Sequence, residues 1–227
     1  MSELVVKNYP KSSVTEAIKA VRTNLRFSSV NNKIKTILIT SSVAGEGKSF
    51  ISANLASTYA ESKEKVLLID CDLRRGRQKE LFNLHGTTKK GLSNLLIDNN
   101  WEKSINNYIH KTEVPGLEIM PAGSIPPNPT ILLESNKLDK ITEILKDKYD
   151  LIIFDAPPVG GLTDALIMTR LSDIVLIVAR AKKTTLELLE NTKEALTTVN
   201  ANIAGVILNR VDKKDSKYYK NYYYYQD

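Results

Sequence analysis

The stretch Ala44-Gly45-Glu46-Gly47-Lys48-Ser49-Phe50 links an apolar run, TILIT at 36–40, to the helix-forming run EGKSFISANLASTYAES at 46–62. Glycines let backbone N–H groups come close to an anion, and the positive end of the following helix favours that anion. A loop of this kind would wrap a di- or triphosphate with Gly45, Glu46, Gly47, Lys48, Ser49 and Phe50. Lys48 would reach the β- and γ-phosphates, and the Ser49 hydroxyl would ligate magnesium. The G-x-x-x-x-G-K-[ST] pattern is broken at its first glycine, where Ser42 stands. A glycine turn that only caps a helix is the competing reading. A strand before the loop and a helix after it argue against that.

Three carboxylates follow at strand ends. VLLIDCDLRRGR delivers Asp70 and Asp72, then Arg74 and Arg75, and LIIFDAPP delivers Asp155. Asp70 and Asp72 would suit a magnesium ion beside a triphosphate, and Asp155 would hold a magnesium-bound water. Cys71 reads as a small buried filler between two carboxylates. Thr163 or Asp164 can cap the helix after the Pro157–Gly161 turn. In VILNRVD, Asn209 could read a purine edge or simply end a strand. Asn209-Arg210-Val211-Asp212 echoes the guanine-reading N-K-x-D arrangement with arginine for lysine, so the residues leave ATP and GTP both open.

Placing these residues takes strands buried on both faces. The runs at 36–40, 65–70, 117–121, 151–155, 174–180 and 204–209 are almost continuously apolar, and helical patterns separate them at 46–62, 136–148, 163–172 and 185–199. The expectation is α/β: a P-loop NTPase with a doubly wound, mostly parallel sheet and helices on both faces. An amphipathic helix at about 13–29 precedes the first strand, and 84–116 reads as a mobile loop with a short helix. The domain reading is 1–210 as the folded unit and 211–227 as a tail.

The chain has 227 residues, a net charge of +6 and one cysteine, and no apolar run long enough to span a bilayer. Its opening lacks the regions of a signal peptide, so the expectation is a cytoplasmic protein that meets membrane only through a partner. The last ten residues hold six tyrosines, Tyr218, Tyr219, Tyr222, Tyr223, Tyr224 and Tyr225, among lysines. These could be inert sequence, a stacking platform for single-stranded nucleic acid, an adhesive segment, or phosphate acceptors. The phosphate loop favours the last.

AGEGKS, LLIDCDLRR and IIFDAPP, in this order, resemble the Walker A, A′ and B motifs of bacterial tyrosine kinases of capsule and exopolysaccharide synthesis. The resemblance extends to EAIKAVRTNLRF and the tyrosine cluster, covering nearly the whole chain. It is closest to the Gram-positive type, a cytoplasmic kinase encoded apart from its membrane activator. It implies ATP as donor, Mg2+ as cofactor, Lys48, Asp70, Asp72 and Asp155 as catalytic residues, and tyrosine hydroxyls as acceptors, the six tail tyrosines included. Asp70 would orient the hydroxyl and take its proton late, with Ser49, Asp72 and Asp155 on the metal, though roles among the carboxylates could be exchanged. The resemblance also implies a homo-oligomeric ring presenting tails to neighbours, a transmembrane activator that recruits the chain to the inner membrane face, a cognate phosphatase, and no nucleic-acid partner. The family's E-x-x-R-x-x-R subunit contact falls on Glu16, Lys19 and Arg22, where lysine loses the planar bidentate pairing of arginine. That helix could equally cover its own sheet. Septum-placing and partitioning ATPases are the rival family. They carry an extra lysine where this chain has Val43.

Overall fold

The computed structural model describes residues 4–28, 34–84 and 90–212. Seven strands form one sheet: β1 (Thr36–Ser41), β2 (Val66–Asp70), β3 (His110–Lys111), β4 (Leu117–Met120), β5 (Leu151–Asp155), β6 (Ile174–Arg180) and β7 (Ile203–Asn209). Their order is β3-β4-β2-β5-β1-β6-β7, all parallel except the β3–β4 pair. The doubly wound, mostly parallel sheet expected of the six apolar runs is present.

Burial on both faces explains the unbroken apolar runs. Leu38, Leu67, Ile69, Ile152 and Phe154 point to one core, while Ile37, Ile39, Leu68, Leu151 and Ile153 point to the other. The second core is closed by α1 (Val5–Asn8), α2 (Ser13–Ser28) and α3 (Lys48–Glu61). The first is closed by α5 (Leu92–Ile97), α6 (Trp101–Ser104), α7 (Pro129–Glu134), α8 (Asn136–Lys148), α9 (Asp164–Met168) and α10 (Leu186–Thr198), with α4 (Gln78–Leu81) following β2. In α8, Leu138, Ile141, Thr142 and Leu145 recur at helical spacing on the buried side. α3 is different: it is buried nearly all round, and its Ala and Ser residues let it lie close against the sheet.

From β1 the chain crosses one way to β2, and it later returns on the other side through β5 to β6. This switch opens a crevice at the carboxyl ends of β1, β2 and β5. Parallel pairing there is in register, with Asp70 beside Asp155 and Ile39 beside Asp155. Two carboxylates are thereby forced onto one rung.

Two expectations need correction. Among the described part of 84–116 stand α5, α6, a 3-10 turn at Ile105–Tyr108 and β3, where a loop with one short helix was expected. Leu92, Leu95, Trp101 and Ile105 bury themselves in the first core, which holds the region in place. Neither Thr163 nor Asp164 caps α9 through its side chain. Instead the buried Asp164 accepts from Arg74 Nε at 3.2 Å and from Thr130 Oγ1 at 2.6 Å, tying the loop after β2 to α7 and α9. α2 also covers its own domain. Ile18 and Leu25 pack among Ile51, Leu55 and Tyr59. Arg22 donates to the Thr58 carbonyl and the Ser62 hydroxyl, while Lys19 pairs with Glu16 at 3.0 Å.

Candidate active site

The turn between β1 and α3 is shaped by its glycines. Gly47 is the residue before α3 and has φ +100, a left-handed conformation suited to glycine. A Cβ at Gly47 would lie 2.1 Å from Asn209 Nδ2. That amide donates to the Glu46 carbonyl at 2.9 Å, and the Asn209 oxygen accepts the Arg210 N–H at 2.8 Å. Asn209 thus braces the loop from the end of β7 through its side chain. Glu46 is buried beneath its own turn, accepting the Val43 N–H at 3.0 Å and the Thr184 hydroxyl. Ser42, in the place of the usual first glycine, has its hydroxyl against that of Thr192 at 2.9 Å.

We expect Gly47→Ala to lower nucleotide affinity at least about tenfold, because a left-handed alanine costs roughly 1–2 kcal/mol before the clash with Asn209 is counted. Calorimetric titration with ADP is the measurement, and unchanged affinity would contradict the role given to this turn.

Lys48 opens α3 and turns into the crevice. Its Nζ donates to Asp72 Oδ2 at 3.1 Å and lies 3.9 Å from Asp155 Oδ1. Burial alone would lower the basicity of this amine, but Asp155, Asp72 and Asp70 together hold it above its ordinary value. Lys48 is therefore a fixed cation. Asp72 also accepts the Arg75 N–H through Oδ1 at 2.9 Å. Asp70 is fully buried, accepting from Asp72 N–H at 3.2 Å and Gln78 N–H at 3.0 Å. Burial first, then the charge of Asp155, push its carboxyl up to about 8, against the pull of the Gln78 N–H and Lys48. Cys71 is buried, and burial with the three carboxylates drives its thiol far up, which makes it unreactive.

Of the expected catalytic set, Lys48, Asp70, Asp72 and Asp155 converge, with Ser49 buried at the start of α3 beside them. Phe50 packs partly against the second core. The six tail tyrosines lie outside the described residues. Glu16, Lys19 and Arg22 lie on α2, bonded within their own chain. Two further residues touch Asp155: Ser52 Oγ at 3.3 Å and Gln78 Nε2 at 2.7 Å. Ser52 stands one helical turn after Lys48, a spacing that could have revealed it. Gln78 carried no such signal.

Among the described residues no three His, Cys, Asp or Glu side chains form a ready metal cage. That suits magnesium, which takes one or two carboxylates and leaves other positions to phosphates and water. A hydroxyl and two carboxylates, with the buried Gln78 Oε1 left without a donor among the described residues, make a fitting donor set. Beside Asp70 a cavity of about 250 Å3 opens, lined among others by Lys79, Pro121 and Gly123. Among the described residues no helix is long and apolar enough to cross a membrane.

A family model described as an AAA domain matches residues 34–207. The tyrosine-protein kinase YwqD of Bacillus subtilis (strain 168) is 36% identical over 221 residues, 97% of this chain and 90% of that one. The crystal structure of the chimerical protein CapA2B2 superposes with a TM-score of 0.88 at 35% identity, over 94% of this chain and 92% of the other. The kinase domain of the Escherichia coli tyrosine kinase Etk gives 0.86 at 35% identity, over 95% and 82%. A nucleotide-binding loop and a carboxylate crevice on this sheet, matched over almost the whole length, place the chain in the family of bacterial tyrosine-protein kinases built on an AAA domain.

Proposed function

We propose that this chain transfers the γ-phosphate of ATP to tyrosine hydroxyls of its own C-terminal cluster, Tyr218, Tyr219, Tyr222, Tyr223, Tyr224 and Tyr225, presented by a neighbouring copy. The observation that carries the proposal is the convergence of Lys48 with Asp70, Asp72 and Asp155 beneath the Gly45–Ser49 turn, beside a cavity that reaches Asp70. In this reading residues 1–210 are the kinase unit and 211–227 its substrate segment. α2, with Glu16, Lys19 and Arg22, meets the next subunit of a ring. A transmembrane activator holds the ring at the inner membrane face, a phosphatase resets it, and the output is capsular polysaccharide synthesis.

The chemistry follows from the chain's own groups. The Gly45–Ser49 amides and Lys48 hold the phosphates of ATP, and Asn209 supports the loop beneath them. The acceptor phenol enters beside Asp70. Its oxygen bonds to the γ-phosphorus as the bond to the bridging oxygen breaks, ADP leaves with that electron pair, and the phenol proton passes to the Asp70 carboxylate. Moving a proton from phenol to an ordinary aspartate would cost about 8 kcal/mol, and burial of Asp70 beside Asp155 makes its carboxylate a stronger base than that. Lys48 stabilises charge on the transferring group throughout. Ser49, Asp72 and Asp155 would hold Mg2+, which neutralises phosphate charge when bound.

Each phosphotyrosine adds about −1.5 to −2 charges, so a filled tail repels itself and the carboxylate crevice, which releases it. The test is mass spectrometry and sizing of the purified chain after incubation with ATP and Mg2+, alone and with a cytoplasmic fragment of the activator. We expect phosphate on the tail, none after all six tyrosines become phenylalanine, and a smaller assembly once phosphorylated. Phosphate persisting on the six-phenylalanine variant would refute the tail as acceptor. ATP hydrolysis with no phosphotyrosine under either condition would favour a nucleotide-switched scaffold instead.

A further inference from the structure

We infer that Gln78 is the positioning residue of this site, setting the Asp155 carboxylate for the metal. The inference rests on the kinase reading and adds a residue to it. Gln78 is the first residue of α4 and is wholly buried. It touches three parts of the machinery at once. Its backbone N–H donates to Asp70 Oδ2 at 3.0 Å, and its side-chain Nε2 donates to Asp155 Oδ2 at 2.7 Å and to the Ser49 carbonyl at 3.0 Å.

The orientation of the amide is dictated by chemistry. Turning it over would set Oε1 against a carboxylate and a carbonyl, two acceptors with no proton to share. With Nε2 so placed, both of its protons are committed, and the Asp155 carboxylate has one oxygen anchored. The other, Oδ1, faces Ser52 Oγ at 3.3 Å and Lys48 Nζ at 3.9 Å. Asp155 is thus held on one edge by Gln78 and presented on the other toward Lys48.

Reaching this position requires the chain to fold tightly over Asp70. Gly76 permits it: a Cβ there would stand 2.7 Å from Asp70 Oδ2 and 2.6 Å from the Ala122 Cβ. One atom is left over. Gln78 Oε1 is buried and accepts from no group among the described residues, although buried amide oxygens are almost always paired. A water, such as one carried by a divalent ion that Asp155 would hold, would supply its donor. Partners that orient metal-binding carboxylates typically change metal affinity about 10- to 100-fold when removed.

The test compares Gln78→Met, which keeps length and loses both donors and the acceptor, with Gln78→Asn, which keeps the amide but falls short of Asp155. ADP binding to the full chain is titrated with and without Mg2+, and folding is followed by thermal melting. In the native chain we expect Mg2+ to strengthen ADP binding. In both variants we expect metal-free ADP affinity within about twofold of native, and a Mg2+ concentration for half-maximal effect raised about tenfold or more. A folded variant with native Mg2+ dependence overturns the inference. So does failure of both variants to fold, because Gln78 would then support the structure and not the carboxylate. A native chain that binds no nucleotide would instead sink the kinase reading itself, so the two failures are distinguishable.

Discussion

Lys48→Met should reduce phosphotyrosine formation by about 10^2- to 10^3-fold or more, the loss typical when a preorganised charge aimed at the reacting group is removed. The lysine is held by Asp72 and Asp155 in a buried crevice, so in the proposed mechanism its charge is already in place before nucleotide arrives. Methionine matches its length and removes its charge. Without that cation, Asp155, Asp72 and Asp70 repel one another unscreened, and metal-free protein should also melt earlier as pH rises. The informative experiment mixes Lys48→Met chains with native ones whose tails are all phenylalanine. Phosphate appearing on the Lys48→Met chain demonstrates transfer between subunits. Strong phosphotyrosine on Lys48→Met alone would remove Lys48 from the mechanism.

The parts of this architecture that could be read from the sequence are those whose cause is local. β1, β2, β5 and β6 were legible because a strand buried on both faces must be apolar at every position, as Ile37, Leu38 and Ile39 are. The phosphate turn was legible because Gly47 needs its left-handed φ. What escaped depends on pairing at a distance. β3 is two residues long, half-buried His110 and exposed Lys111, with no alternation to display. α5 and α6 are only six and four residues long, and their apolar residues look like loop until the first core is there to receive them. Gln78 follows Asp70 by eight residues but precedes Asp155 by 77, so its contact with Asp155 exists only once β2 and β5 are in register. The bond from the Asn209 amide nitrogen to the Glu46 carbonyl is likewise a link no spacing rule encodes.

Asp155→Asn should separate catalysis from folding. We expect phosphotyrosine formation to fall about 10^3-fold, the rate equivalent of roughly 4 kcal/mol, through the loss of a metal-facing carboxylate. The fold should survive, because asparagine can turn its oxygen to Gln78 Nε2 and its NH2 toward Ser52 Oγ, the two side chains that now donate to Asp155. The pH dependence carries the sharper signature. Asp70 has its folded-state carboxyl raised from 3.8 to about 8, so the stability it contributes is complete below about pH 4 and is lost as pH climbs toward 8. After burial, the Asp155 charge is the largest cause of that rise, with Asp72 adding to it and Lys48 and the Gln78 N–H opposing it. Asparagine at 155 removes that charge, so Asp70 ionises at lower pH inside the folded protein. Melting temperatures of the metal-free chains at pH 6 and pH 8.5 should then differ less in the variant than in the native protein. Equal differences in both would show that Asp155 does not press on Asp70, and the shared rung of β2 and β5 would lose its electrostatic meaning.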